Sequence, residues 1–141
     1  MTGENADLIE LTNRSSRSCV LDGYPRVDLS DNGKRLAFVY LDGGGSYVTK
    51  RKPQRVTLGP GRRAYFLVAK YRCDGGILYP ATSIRVLLPG TNGAFTLSLT
   101  EPSGGRLDYC KRYPGDQRVD PGNRAVVSPV EGAAMSTSSL R

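Results

Sequence analysis

The sequence predicts an all-β fold, a two-sheet antiparallel sandwich of about eight short strands, and three observations carry that expectation. Seventeen glycines and nine prolines punctuate the chain at frequent intervals. The runs between them are rich in valine, leucine, tyrosine and threonine, residues that fit a pleated, half-buried surface. Within those runs apolar residues recur at every second position, and no segment of useful length carries the helical period.

Ile9 and Leu11 alternate with Leu8 and Glu10 ahead of the turn cluster NRSS, so residues 7 to 13 read as the first strand. Val27 and Leu29 alternate with Arg26, Asp28 and Ser30 before Asp31-Asn32-Gly33, a strong hairpin signal because Asn and Gly accept positive φ. Leu36, Phe38 and Tyr40 then read as the return strand, which the glycine run from Gly43 breaks. Residues 55 to 58 and 63 to 71 form a further pair about the turn Gly59-Pro60-Gly61. The second of these, apolar on both faces from Tyr65 to Ala69, reads as a central strand. Ile84, Val86 and Leu88 alternate up to Pro89-Gly90, and Phe95, Leu97 and Leu99 give the cleanest alternation of all. Residues 107 to 110 and 124 to 130 complete the set.

At 141 residues the chain suits one hydrophobic core, assigned here to residues 1–130. Residues 131–141, EGAAMSTSSLR, have almost nothing to bury and read as a disordered tail. No apolar run approaches the roughly 20 residues that span a bilayer. The opening MTGENAD lacks the basic start and apolar stretch of an export signal.

The net charge of +7 is unevenly placed. Lys50, Arg51, Lys52, Arg55, Arg62, Arg63, Lys70 and Arg72 fall in one segment without a carboxylate, while the rest of the chain is nearly neutral. That segment is the candidate surface for an anionic polymer or a protein partner, with Lys50, Arg51, Lys52, Arg62, Arg63, Lys70 and Arg72 as its contacts. In a hairpin about residues 59–61, Lys50 would approach Lys70, an arrangement that calls for an intervening anion or a diverging loop. The plain alternative is a solvated charged surface. Nucleic acid ranks low, because no exposed aromatics interleave with the basic residues as a stacking platform requires.

Histidine is absent, which removes Ser-His-Asp and Cys-His machinery and the commonest zinc ligand. A carboxylate pair could hydrolyse a glycosidic bond only from a cleft. Asp22, Asp28 and Asp108 read as turn or solvent-facing residues, so a hydrolase ranks third. DLSDNG, residues 28–33, begins like a calcium loop, but its twelfth position is Val39 and the hairpin reading prevails. GPGRRA, residues 59–64, fits a dinucleotide fingerprint in letters alone, since a β-type run and not a helix follows. Asn13-Arg14-Ser15 matches the glycosylation triplet. No catalytic residue, metal or cofactor is expected.

Three cysteines remain. Cys73 and Cys110 both sit in turn-rich, polar surroundings where a bridge would staple a long loop, and their pairing is favoured. Cys19 is then left as a packed thiol among Val20 and Leu21. No C-x-x-C occurs.

Residues 13–27, NRSSRSCVLDGYPRV, resemble the signature N-x-(S/G)-x-x-x-C-x-L-x-G-Y-P-x-V of the actinobacterial family of domain of unknown function 4232. Residues 56–64 resemble its V-x-L-x-P-G-x-x-A segment, residues 84–90 its L-x-V-x-P-P-G with Leu88 at the first proline, and residues 127–130 its closing V-x-P-V. Cys73 and Cys110 fall where that family tends to place cysteines. The resemblance runs from about residue 7 to 130. It implies an immunoglobulin-like sandwich in secreted, lipoprotein or membrane-anchored proteins, with no established catalysis. Cys19, Leu21, Gly23, Tyr24 and Pro25 then read as a structural corner: Gly23 turns, Pro25 fixes φ, Tyr24 packs its ring, and Cys19 and Leu21 face inward. The expected function is a non-enzymatic extracytoplasmic binding module, with a purely accessory domain as the alternative.

Overall fold

The computed structural model describes residues 4–44, 52–99, 107–111 and 120–132. They form an all-β protein built from several sheets. The largest sheet is organised about β7 (Arg63–Tyr71), the long run that is apolar on both faces. β1 (Glu4–Thr12) pairs with it antiparallel from Glu4↔Tyr71 to Thr12↔Arg63. Its other edge is shared by β12 (Arg124–Val127), where Val127 faces Val68, and by β13 (Glu131–Gly132), where Glu131 faces Tyr65. Between these two strands Pro129 has no N–H to offer, and Ser128 bridges the interruption. Its backbone N–H donates to the Leu67 carbonyl at 2.9 Å while its Oγ accepts from the Leu67 N–H at 2.8 Å. The chain therefore remains in the sheet through Gly132 and does not turn into a tail at residue 131. Residues 133–141 lie outside the described set.

The second large sheet runs in the order β10 (Ala94–Ser98), β9 (Ser83–Leu87), β3 (Arg26–Asp31), β4 (Lys34–Arg35). The β3–β4 hairpin turns at Asn32 and Gly33, with φ of 48° and 86°, as the Asn-Gly pair demands. The expected return strand over Leu36, Phe38 and Tyr40 does not form. After Arg35 the Leu36 N–H still donates to Leu29 O at 2.9 Å, but the chain then drives Leu36 and Phe38 into the core. It emerges as β5 (Val39–Asp42), parallel to β12 in the first sheet. Burying two large apolar side chains two residues apart outweighs continuing a two-stranded ladder.

A second expectation is also revised. β6 (Val56–Leu58) does not hairpin onto β7; it pairs with β2 (Cys19–Leu21), Leu21 facing Val56. β8 (Ile77–Tyr79) and β11 (Tyr109–Cys110) form another small sheet. Inward residues of both large sheets, including Ile9, Phe66, Val68, Leu29, Ile84 and Val86, make one buried cluster. Ala69 and Val126, on the opposite face of the first sheet, pack with Ala6 and Leu67. This second contact is why β7 is apolar on both sides.

Candidate functional site

The corner CVLDGYP is built against the turn after β9. Leu21 is buried, and Gly23 adopts φ 123°, a conformation L side chains rarely take. A Cβ on Gly23 would meet Pro89 Cβ at 3.5 Å, and the Asp22 N–H donates to Pro89 O at 3.4 Å. Pro25 is buried, Cys19 is a half-buried free thiol against the core, and Tyr24 is half-buried. Tyr24 also lines a groove, so one side of the corner is scaffold and the other is surface.

The basic segment does not converge. Lys50 and Arg51 lie outside the described residues. Lys52, Arg62, Arg63 and Arg72 are exposed, but Arg63 and Arg72 flank opposite ends of β7. At roughly 3.3 Å per residue those ends are about 26 Å apart, well beyond a Debye length. Lys70 is only 1% exposed and belongs to no charged surface. It follows Ala64, Phe66 and Val68 on the inward face of β7. Carrying the two-residue alternation one step further along the sequence would have placed it there.

A different set of arginines is brought together instead. The Asn13 N–H donates to Arg62 O at 2.9 Å and the Gly61 N–H to Asn13 O at 2.7 Å, clasping residues 13–18 to the turn at 59–62. The Asn13 side chain completes the clasp: Nδ2 donates to Arg17 O and Leu58 O, both at 2.8 Å, while Oδ1 accepts from the Ser15 N–H and Oγ. With its amide so engaged and 8% exposed, Asn13 is a structural residue and not a glycan acceptor. The clasp joins the loop that carries exposed Arg14 and Arg17 to the turn that carries exposed Arg62 and Arg63. Only Arg63 has an acidic neighbour among the described residues, Glu10 at 3.9 Å. Arg14 and Arg17 were missed because they are distant in sequence from the basic segment; the hydrogen-bonding demand of Asn13 was the available clue.

The Cys73–Cys110 disulfide forms, and it roofs a buried polar cluster. Lys70 Nζ lies 3.8 Å from Cys73 Sγ, with Asp108 and Asp120 near enough to act on it electrostatically. Asp108 is 3% and Asp120 7% exposed, contrary to the turn or solvent-facing position expected of Asp108. Burial holds the Lys70 amine below its usual range, partly opposed by the two carboxylates. Burial likewise pushes the Asp108 carboxyl up, partly opposed by a hydrogen bond from the Ala81 backbone and by Lys70. Asp120 Oδ1 accepts from the Gly122 N–H at 2.8 Å, capping the 3-10 turn Pro121–Asn123. Asn123 exchanges two hydrogen bonds with the backbone of Cys110. Asp108 Oδ1 and Asp120 Oδ2 are left buried without a hydrogen-bond partner.

The groove beside Tyr24 has a volume of about 700 Å³ and runs between the edges of β3 and β5. Tyr40 closes one part of it, its hydroxyl accepting from the Leu29 N–H at 2.8 Å. Burial raises the Tyr40 phenol to about 12, so it stays neutral and available for that bond. Arg35 and Asp28 pair at 3.2 Å on the wall.

The family model described as Domain of unknown function (DUF4232) matches residues 2–131. No curated protein and no solved structure matches the chain. The match takes in the Asn13 clasp, the Gly23 corner, the disulfide and the Ser128 bridge alike, and the chain belongs to the DUF4232 family.

Proposed function

We propose that this domain is a non-enzymatic, extracytoplasmic binding module that engages an anionic cell-envelope polymer through the arginine cluster at its clasped end. The single observation that carries the reading is the Asn13 clasp, which joins the loop bearing exposed Arg14 and Arg17 to the turn bearing exposed Arg62 and Arg63, with Glu10 at 3.9 Å from Arg63 the one ion pair these four make among the described residues. Loop residues held by backbone hydrogen bonds present cations at low ordering cost, which favours binding to a polyanion. The disulfide supports an oxidising compartment, since cytosolic thiols are kept reduced. An immunoglobulin-like sandwich, with the two large sheets as its layers, is the architecture that accommodates these features. The buried carboxylates serve as a cap and a counter-charge, roles that support a non-catalytic reading.

Co-sedimentation with isolated cell walls across a salt series tests this reading. Binding should weaken steeply with salt and be lost in the triple variant Arg14→Gln, Arg17→Gln, Arg62→Gln, whose melting temperature should be unchanged. Binding indifferent to both salt and substitution would reject it.

A further inference from the structure

The outer face of the second large sheet carries a charge imbalance that the strand register brings out. With Val27 and Leu29 of β3 and Ile84 and Val86 of β9 in the core, alternation turns Arg26, Asp28, Arg85 and Leu87 outward. Arg35 of β4 stands opposite Ser30, in phase with Asp28, and its guanidinium lies 3.2 Å from the Asp28 carboxylate. The other positions of this face, Ser30, Ser83, Ala94, Thr96 and Ser98, carry no charge. Three guanidiniums therefore share one carboxylate.

Two of the three are close neighbours. Arg26 faces Leu87 and Asp28 faces Arg85, which sets Arg26 and Arg85 on a diagonal of the ladder. Such positions start about 7–8 Å apart, within reach of two long side chains. Both arginines are exposed, and among the described residues neither has a carboxylate within ion-pair distance. Like charges placed together on one sheet face repel, and an oxyanion held between them removes that repulsion. A phosphoryl group suits the pair, since its oxygens accept from both guanidinium forks at once.

Both arginines also line the groove, whose volume of about 700 Å³ is that of a small-molecule site. The groove is polarised. Its cationic wall is this sheet face, while β5 supplies the exposed carboxylate of Asp42, which repels an anion and accepts from hydroxyl donors. Half-buried Tyr24 and Leu87 add apolar surface for a ring. From this geometry we infer that the groove binds a phosphorylated sugar, with its phosphate between Arg26 and Arg85 and its hydroxyls toward Asp42. None of Arg14, Arg17, Arg62 and Arg63 takes part.

The probes are the 6-phosphates of glucose, mannose and glucosamine, titrated into the full chain and followed by amide chemical shifts, with glucose and inorganic phosphate as the partial ligands. At least one sugar phosphate should saturate and move the amides of Arg26, Arg85 and Asp42. Inorganic phosphate should bind the same arginines about tenfold more weakly, and glucose should not bind. The double variant Arg26→Gln, Arg85→Gln, which should melt like the parent, should weaken the sugar phosphate by about tenfold or more. Asp42→Ala should close the gap between the sugar phosphate and inorganic phosphate. The Arg14, Arg17, Arg62 triple-glutamine variant should bind the sugar phosphate normally, which separates this site from the polymer reading. No saturation by any of the three, binding that survives the double substitution, or inorganic phosphate binding as tightly as the best sugar phosphate would overturn the inference.

Discussion

The Lys70 amine lies 3.8 Å from Cys73 Sγ, beneath the bridge that ties the end of β7 to β11. A lysine amine has been buried at the end of β7, and two carboxylates have been buried with it. Removing one charge from such a group strands the others. Lys70→Met should cost about 3 kcal/mol or more for that reason. The triple variant Lys70→Met, Asp108→Asn, Asp120→Asn leaves no buried charge and should regain most of the loss. Chemical denaturation of the single and triple variants measures the coupling; equal losses in both would show that packing, not charge, governs the site.

The same cluster sets a pH dependence. Asp108 is more readily protonated folded than unfolded, so its contribution to stability falls as pH rises from 3.8 through its folded value. Lys70 sheds its proton more readily when folded, so its contribution rises with pH between its folded value and 10.5. The melting temperature of the parent protein, relative to Asp108→Asn, should therefore improve as pH is lowered from 7 toward 4. A gap that moves the other way would contradict the direction assigned to Asp108.

Gly122 leaves no room for a methyl group. A Cβ there would lie 2.5 Å from Cys110 Sγ and 2.9 Å from the carbonyl oxygens of Tyr71 and Arg72, and a bonded sulfur cannot step aside. Gly122→Ala should destabilise by roughly 1–3 kcal/mol through overpacking and slow closure of the disulfide. Thermal melts with a free-thiol assay check both effects; unchanged values would mean that the turn shifts freely.

Asn13→Ala removes the amide that holds Arg17 O and Leu58 O. Leaving these acceptors unmet should cost about 2 kcal/mol, and loosening the clasp should weaken polymer binding beyond the stability loss. Asn13→Asp keeps the two acceptor bonds from Ser15 but loses both donors, so it should resemble alanine. If it instead melts like the parent, the Ser15 half of the clasp is the half that matters.

Local geometry was legible in the sequence. The bounds of β7 follow from its apolar run between Gly61 and the polar residues after Tyr71, and the Asn32-Gly33 turn follows from backbone sterics. Strand partners were not legible, because alternation tells which way a side chain points and not which neighbour the strand meets. Hence the turn at residues 59–61 points β6 at β7 when it pairs with β2, and alternation alone continues Leu36 to Tyr40 as a return strand when β5 joins the other sheet. The site suffered most from this. Asn13 and Arg62 are joined by a backbone hydrogen bond that closes a long loop, and alternation in either segment gives no sign of it.

The position of β12 also sets when this chain can become structured. It lies between β7 and β5, so the sheet that carries most of the core is split until residues 124–127 arrive to join its parts. A polypeptide emerging from a ribosome or threading through a translocation pore would hold two unconnected halves until nearly the last of these residues is free. Its closing step would then join segments more than fifty residues apart, which makes it slow.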